Sequence, residues 1–115
     1  MRMGAFATVG AYGPPNLLHL LLDNGLHEST GGQATVSPLV SFADVAAACG
    51  YALSIETDDL AQVAAWLSAP ALNGPRFARL LTRAGVADDL PRPSIGPVEV
   101  KARLMRHLGP ATGIR

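Results

Sequence analysis

The densest set of groups able to do chemistry lies in one loop, Asp23-Asn24-Gly25-Leu26-His27-Glu28-Ser29-Thr30-Gly31-Gly32-Gln33. It follows at once on the apolar run Leu17 to Leu22. Amide and backbone oxygens at such density suit a hard cation, and magnesium in particular takes oxygen ligands and shares them with substrate phosphates. A competing reading is a tight turn, because Asn and Asp hydrogen-bond their own backbone and Gly accepts positive φ. No alternating strand follows to complete a hairpin, which weighs against a plain turn. The residues alone leave ligand loop and turn at about even odds.

Other side chains with chemical potential read more plainly as structure. Asp23, His27 and Ser29 are the residue types of a hydrolase triad, but neighbours in one loop do not make triad geometry, which is a matter of position in space. His19 lies inside an apolar strand and is expected to be a satisfied core histidine. Cys49 falls on the apolar face of a helix, where a thiol packs as a small hydrophobe. Asp58-Asp59 suits the start of a helix, whose dipole favours negative charge there. Arg76, Arg79 and Arg83 could bind phosphate, yet in a neutral chain they read as a solvated strand face. Trp66 fits either a subunit interface or a partly exposed helix position.

The elements that must position the loop follow from periodicity and punctuation. Met1, Ala5, Phe6 and Val9 share a helical face within residues 1–12, and Gly13-Pro14-Pro15 stops that helix. The pattern begins at Met1 with no capping residue ahead of it. Asn16 to Asn24 is a near-continuous apolar run that reads as a strand covered on both faces, as in a parallel sheet. Ser41, with Asp44 three residues on, opens a second helix whose core face is Phe42, Val45, Ala46 and Cys49, and Gly50 ends it. Tyr51 to Glu56 is a second strand. Thr57 is expected to cap a third helix with the apolar stripe Leu60, Val63, Ala64 and Leu67. Arg76 to Arg83 is assigned as a third strand from the alternation before it. Pro97 suits the first position of a last helix with Val100, Leu104 and Leu108 on one face, closed by Gly109-Pro110. Strands separated by helices require crossovers, so the fold class is α/β with a parallel sheet and flanking helices.

Composition narrows the function classes. At 115 residues a single compact domain is the default, and with few aromatics the core is expected to be built from Leu, Val and Ala. Nine acidic and nine basic side chains balance. That leaves no footprint for nucleic acid or an anionic membrane. The longest apolar run is too short to span a bilayer, the N-terminus has no signal-peptide pattern, and one cysteine excludes an internal disulfide. A cytoplasmic location is expected.

The loop and its flanks also carry a resemblance. Gly4-Ala5-Phe6-Ala7-Thr8-Val9-Gly10, then Asn16 to Asn24, then Gly25 through Gln33, resembles the closing part of the motif that opens with Gly-Asp-Gly in thiamine-diphosphate-dependent decarboxylases. The form Glu28-Ser29-Thr30-Gly31-Gly32-Gln33 is similar to the branch acting on phosphonopyruvate and, less closely, to that acting on sulfopyruvate. Arg92-Pro93-Ser94 and Pro97-Val98-Glu99-Val100-Lys101 look like the tail of the former.

The resemblance implies a C-terminal, diphosphate-binding domain with thiamine diphosphate and Mg2+ as cofactors and a small 2-oxo acid as substrate. It implies that Asn24 gives its side-chain oxygen and Leu26 its carbonyl to magnesium, and that Gly25, His27 and Glu28 stand on the cofactor side of the loop. The Gly-Asp-Gly itself would fall ahead of Met1, so residues 1–115 are expected to be one N-terminally truncated domain, lacking its first strand and inactive alone. A companion N-terminal, pyrimidine-binding domain or subunit is then implied, in a homo- or hetero-oligomer. The alternative is a non-catalytic, degenerate or regulatory subunit of such an enzyme.

Overall fold

A computed structural model describes residues 3–85 and 88–109. They fall into two compact units, Met1–Gly85 and Val86–Arg115. In the second, α4 (Pro97–Leu108) starts with Pro97 at its first position and carries Arg106 and His107 in its last turn, where cations suit the dipole. Val100, Leu104 and Leu108 follow one another at helical spacing, as expected. Pro110, the second half of the expected stop, and Met1, on the expected first helix face, lie outside the described residues.

The first unit is built on a parallel sheet of β1 (Leu18–Asp23), β5 (Arg76–Leu81) and β4 (Leu53–Thr57), in that spatial order. Helix α1 (Gly4–Tyr12) precedes β1, and α2 (Phe42–Ala48) and α3 (Leu60–Ser68) lie between the strands in sequence. The α/β parallel architecture expected from the alternation of strands and helices is therefore present. The last strand in sequence takes the centre. It pairs Arg79 with Leu21 on one side and with Glu56 on the other.

Coverage of the strands differs from the expectation in one respect. Every residue from Arg76 to Leu80 is buried, whereas in β1 only Asp23 is, and Leu18, Leu20 and Leu22 are 39%, 40% and 63% exposed. The reason is position. β5 is sandwiched, with Phe77 and Arg79 toward α1 and α2, and Arg76, Ala78 and Leu80 toward α3. β1 is an edge strand that turns only His19, Leu21 and Asp23 toward the α1–α2 layer. An apolar run marks a parallel strand, but its neighbours decide whether both faces are covered.

The core is aromatic and not the Leu, Val and Ala core that composition suggested. Phe6, Phe42, Ala46, Tyr51 and Phe77 form the buried cluster, with Leu21, Val45 and Cys49 packed against it. Few aromatics suffice because each buries a large area, and every one but Tyr12 is inside. His19 belongs to this cluster: its Nδ1 lies 3.0 Å from the Tyr51 hydroxyl and its ring stacks on Phe6 at 5.2 Å. Burial lowers its pKa, so the imidazole sits neutral and satisfied among aromatics. Cys49 is half-buried on the apolar face of α2, as expected. Gly10 lets α1 approach closely, since a Cβ there would overlap the Cys49 carbonyl.

Two local expectations are corrected. α3 is capped by Asp59, whose Oδ1 accepts from the Ala61 N–H at 2.8 Å, while Thr57 accepts from the Asp59 N–H. Its buried stripe is Val63 and Trp66, with Leu60 and Leu67 exposed. Trp66 is thus a core residue at 4% exposure, neither interfacial nor partly exposed, because the Arg76 guanidinium lies 5.6 Å from its ring centre. That arginine also donates from Nη1 to the Trp66 and Ala69 carbonyls at the end of α3. It is anything but a solvated strand face.

Phe77 is fully buried at the centre of the cluster. Phe77→Ala is expected to destabilise the first unit by about 3–5 kcal/mol, read as a lower urea midpoint with an unchanged slope.

Candidate functional site

The carboxyl ends of the three parallel strands meet around one side chain, Arg79. Its guanidinium has five N–H donors in a rigid plane, and it makes four hydrogen bonds and a further close ion-pair contact. Nε donates to Asp23 Oδ2 at 2.9 Å, and Nη2 forms an ion pair with the same oxygen at 2.6 Å. Nη2 also reaches the Ser37 carbonyl at 3.1 Å, and Nη1 reaches Glu56 Oε2 at 3.1 Å and the Val40 carbonyl at 3.5 Å. The plane lies 5.1 Å from the centre of the Phe42 ring. Glu56 uses its other oxygen on the Ala43 N–H and the Ser41 hydroxyl at the start of α2. Arg79 was expected on a solvated face; it is buried because two carboxylates and two carbonyls surround it. Buried and paired with Asp23 and Glu56, it is not a free cation for a phosphate.

Asp23 is the second buried charge at this end of the sheet. Burial acts to raise its pKa, but hydrogen bonds from the Gly25 N–H, Arg79 and the Ser37 hydroxyl, with the charge of Arg79, outweigh that and hold it below the usual carboxylate range. Its Oδ1 accepts from Gly25 and Ser37 at 2.9 and 3.1 Å. Both oxygens are thereby occupied, and Asp23 does not orient His27, so no triad forms with Ser29.

The loop after β1 is a miniature hairpin, which corrects the expectation that nothing follows to pair. β2 (Leu26–His27) and β3 (Gln33–Ala34) run antiparallel, joined by a 3-10 turn over Glu28–Thr30 and by Gly31 and Gly32 at positive φ. Asn24 Oδ1 accepts from the Leu26 N–H at 3.0 Å, and its Nδ2 donates to Glu28 Oε2 at 2.7 Å. The Glu28 Oε1 accepts from the Gly85 N–H at 2.6 Å, and Thr82 donates to the Asp23 carbonyl at 2.8 Å. These two bonds lace the loop after β1 to the segment after β5. Leu26 is half-buried, while His27 and Glu28 are exposed.

A cleft of about 630 Å³ opens at this end of the sheet, lined by Asp23, Asn24, Gly25, Ser37, Glu56 and Arg79 among others. Ligands of open parallel sheets bind beyond the carboxyl ends of strands. Among the described residues no group of three or more His, Cys, Asp or Glu is placed to hold a metal ion. Of the loop residues singled out from the sequence, Asn24 and Gly25 line this cleft, while Leu26, His27 and Glu28 are not among its lining residues. Sequence reasoning missed Arg79, Glu56 and Ser37 as builders of this cleft. The available signal was an arginine inside the otherwise apolar stretch Phe77-Ala78-Arg79-Leu80-Leu81.

No family model matches the chain. Among curated proteins it is 49% identical over 106 residues to a phosphonopyruvate decarboxylase of Streptomyces viridochromogenes, covering 90% of this chain and 26% of that protein. A second, from Streptomyces hygroscopicus, is 46% identical over 104 residues, again 26% of its length. The sulfopyruvate decarboxylase subunit beta of Methanothermobacter thermautotrophicus is 31% identical over 112 residues, 97% of this chain and 58% of that subunit. The chain is a homologue of these decarboxylases. It spans about a quarter of the length of the two phosphonopyruvate decarboxylases. No helix among the described residues of this decarboxylase homologue is long and apolar enough to cross a membrane.

Arg79→Met is expected to leave Asp23 and Glu56 uncompensated and to cost about 3–5 kcal/mol at neutral pH. The pH dependence has a definite sign. A carboxyl whose folded pKa is depressed contributes stability that is complete above its unfolded pKa, about 4, and lost as pH falls through the lower folded value. The gap between wild type and Arg79→Met should therefore narrow below about pH 4, as checked by urea unfolding at neutral and acid pH.

Proposed function

We propose that this chain supplies the diphosphate- and magnesium-binding side of a thiamine-diphosphate-dependent 2-oxo acid decarboxylase, with 3-phosphonopyruvate as substrate. The observation that carries the reading is Asn24, which follows directly on β1 and lines the cleft, in a chain 49% identical to a phosphonopyruvate decarboxylase.

The residues present fit the cofactor's metal. Asn24 Oδ1 uses one lone pair on the Leu26 N–H and keeps a second for a cation. Neutral amide and carbonyl oxygens suit magnesium, which completes its shell with water and phosphate oxygens. When bound, thiamine diphosphate supplies the electron sink that lets a 2-oxo acid lose carbon dioxide. This chain's own part is to bind and orient: Asn24 and Leu26 hold the metal, Gly25 keeps the loop tight beside it, and His27 and Glu28 stand on the hairpin behind. Asp23 stays ionised and paired with Arg79, which shares its single positive charge with Glu56.

Activation of the cofactor's aminopyrimidine would come from a companion pyrimidine-binding domain or subunit. The relatives' greater length, and the word subunit in one relative's name, support such a partner in a homo- or hetero-oligomer. A single cysteine, needing no oxidised partner, suits a reducing, cytoplasmic setting.

Two protein ligands are few for an ion that demands near-octahedral coordination. Titration calorimetry on the 115-residue chain is expected to show weak, magnesium-dependent binding of thiamine diphosphate, abolished by Asn24→Ala. Equal heat without magnesium, or with the variant, would sink the assignment.

A further inference from the structure

Resting on the reading of Asn24 as a magnesium ligand, we infer that Glu28 is a positioning residue that fixes which end of the Asn24 amide presents oxygen to the metal. The two ends of an amide are nearly isosteric, and only the oxygen can coordinate a cation. A flipped Asn24 would offer the metal an NH2 group, so the site needs a device that sets the orientation.

The structure provides one. The Leu26 N–H donates to Asn24 Oδ1 at 3.0 Å and Glu28 Oε2 accepts from Nδ2 at 2.7 Å. Of the two, the bond to the carboxylate is charge-assisted and the stronger. A flip would set Oδ1 against Glu28 Oε2, acceptor against acceptor, and Nδ2 against the Leu26 N–H, donor against donor. Glu28 is itself held: its second oxygen accepts from the Gly85 N–H at 2.6 Å. The carboxylate is therefore tied to the segment after β5 and cannot follow Asn24 if the amide turns. Donation to a full negative charge also draws electron density toward Oδ1, making the ligand oxygen more basic, as partners behind a metal ligand generally do. Asn24 and Gly25 line the cleft while Glu28 does not. Its influence on a bound ion runs through the amide.

Three variants separate this role from the others open to an exposed carboxylate. Glu28→Gln has one acceptor oxygen where Glu28 serves two donors. Glu28→Ala has none. Asn24→Asp makes both ends of the ligand oxygen, so orientation ceases to matter.

The test is NMR on the 115-residue chain, with Mn2+ and thiamine diphosphate as the probe, because paramagnetic broadening registers weak binding. In the wild type the Asn24 side-chain NH2 protons are expected downfield and selectively broadened by Mn2+. Glu28→Gln and Glu28→Ala are expected to move those protons upfield and to raise the Mn2+ concentration for half-broadening by roughly tenfold. In the Asn24→Asp background, where broadening is read in all variants at the backbone amide of Gly25, the same Glu28→Gln change is expected to cost little.

If wild type and Glu28 variants broaden alike, the positioning role is overturned and the metal reading stands. Should the tenfold loss persist in the Asn24→Asp background, Glu28 is a ligand in its own right and the positioning role is again overturned. Absence of broadening at Asn24 in the wild type would overturn the metal reading, and this inference with it. Glu28→Gln keeps the size and shape of the side chain, so it decides the matter even if Glu28→Ala disturbs the hairpin.

Discussion

Everything at the carboxyl end of the sheet depends on burying one guanidinium among two carboxylates. Arg79 sits on the central strand, Asp23 on one neighbour and Glu56 on the other, so a single side chain ties all three strands at the end where a ligand would bind. Arg79 and Asp23 are buried while Glu56 stays exposed, and desolvating such charges is tolerated only when they are paired and hydrogen-bonded. Here Arg79 donates to Asp23, Glu56 and the Ser37 and Val40 carbonyls, Asp23 is further bonded by Gly25 and Ser37, and Glu56 accepts from the start of α2. The network therefore does more than hold strands together. It sets where α2 begins and where the loop after β1 leaves the sheet.

That loop takes its shape from the same constraint. With Asp23 pinned, the chain turns at once through two successive side-chain-to-backbone bonds, Asp23 to Gly25 and Asn24 to Leu26. The hairpin that follows brings Glu28 back to Asn24, and the Gly85 N–H closes the arrangement from the far side of the central strand. The turn reading and the ligand-loop reading, which compete when residues alone are weighed, describe one object. Turn bonds use one lone pair of the Asn24 oxygen and leave the other, so the features of a tight turn are also those that preorganise a neutral oxygen for a cation.

The opposite face of β1 shows what the charge network does not govern. Leu18, Leu20 and Leu22 lie on the side of the sheet where α3 packs, but α3 covers β5 and β4. The leucines consequently stand in the open while the aromatic residues fill the α1–α2 layer. Arg76 replaces an apolar contact on the α3 side by lying against Trp66 and capping the end of its helix with Nη1. Two arginines on one strand thus serve opposite layers, three residues apart and on opposite sides of the pleat.

Local chemistry was legible in the residues themselves. The helix stops at Gly13 and Gly50, the cap at Ser41, the core face of α2 and the strand ending at Asp23 each depend on bonds or periodicities spanning a few residues, and a linear chain displays these directly. The polar loop was legible for the same reason, as was its likeness to a known motif. Long-range pairing decided the rest. The order β1-β5-β4 puts Arg79 between Asp23 and Glu56, 56 and 23 residues away in sequence, and turns an apparent solvated arginine into the buried centre of the cleft. Whether an apolar strand is central or at the edge, and whether a tryptophan packs inward, also depends on which elements become neighbours. Periodicity records the face a side chain takes on its own element; only the tertiary structure determines what lies opposite that face, because burial and charge pairing are properties of two surfaces and not of one.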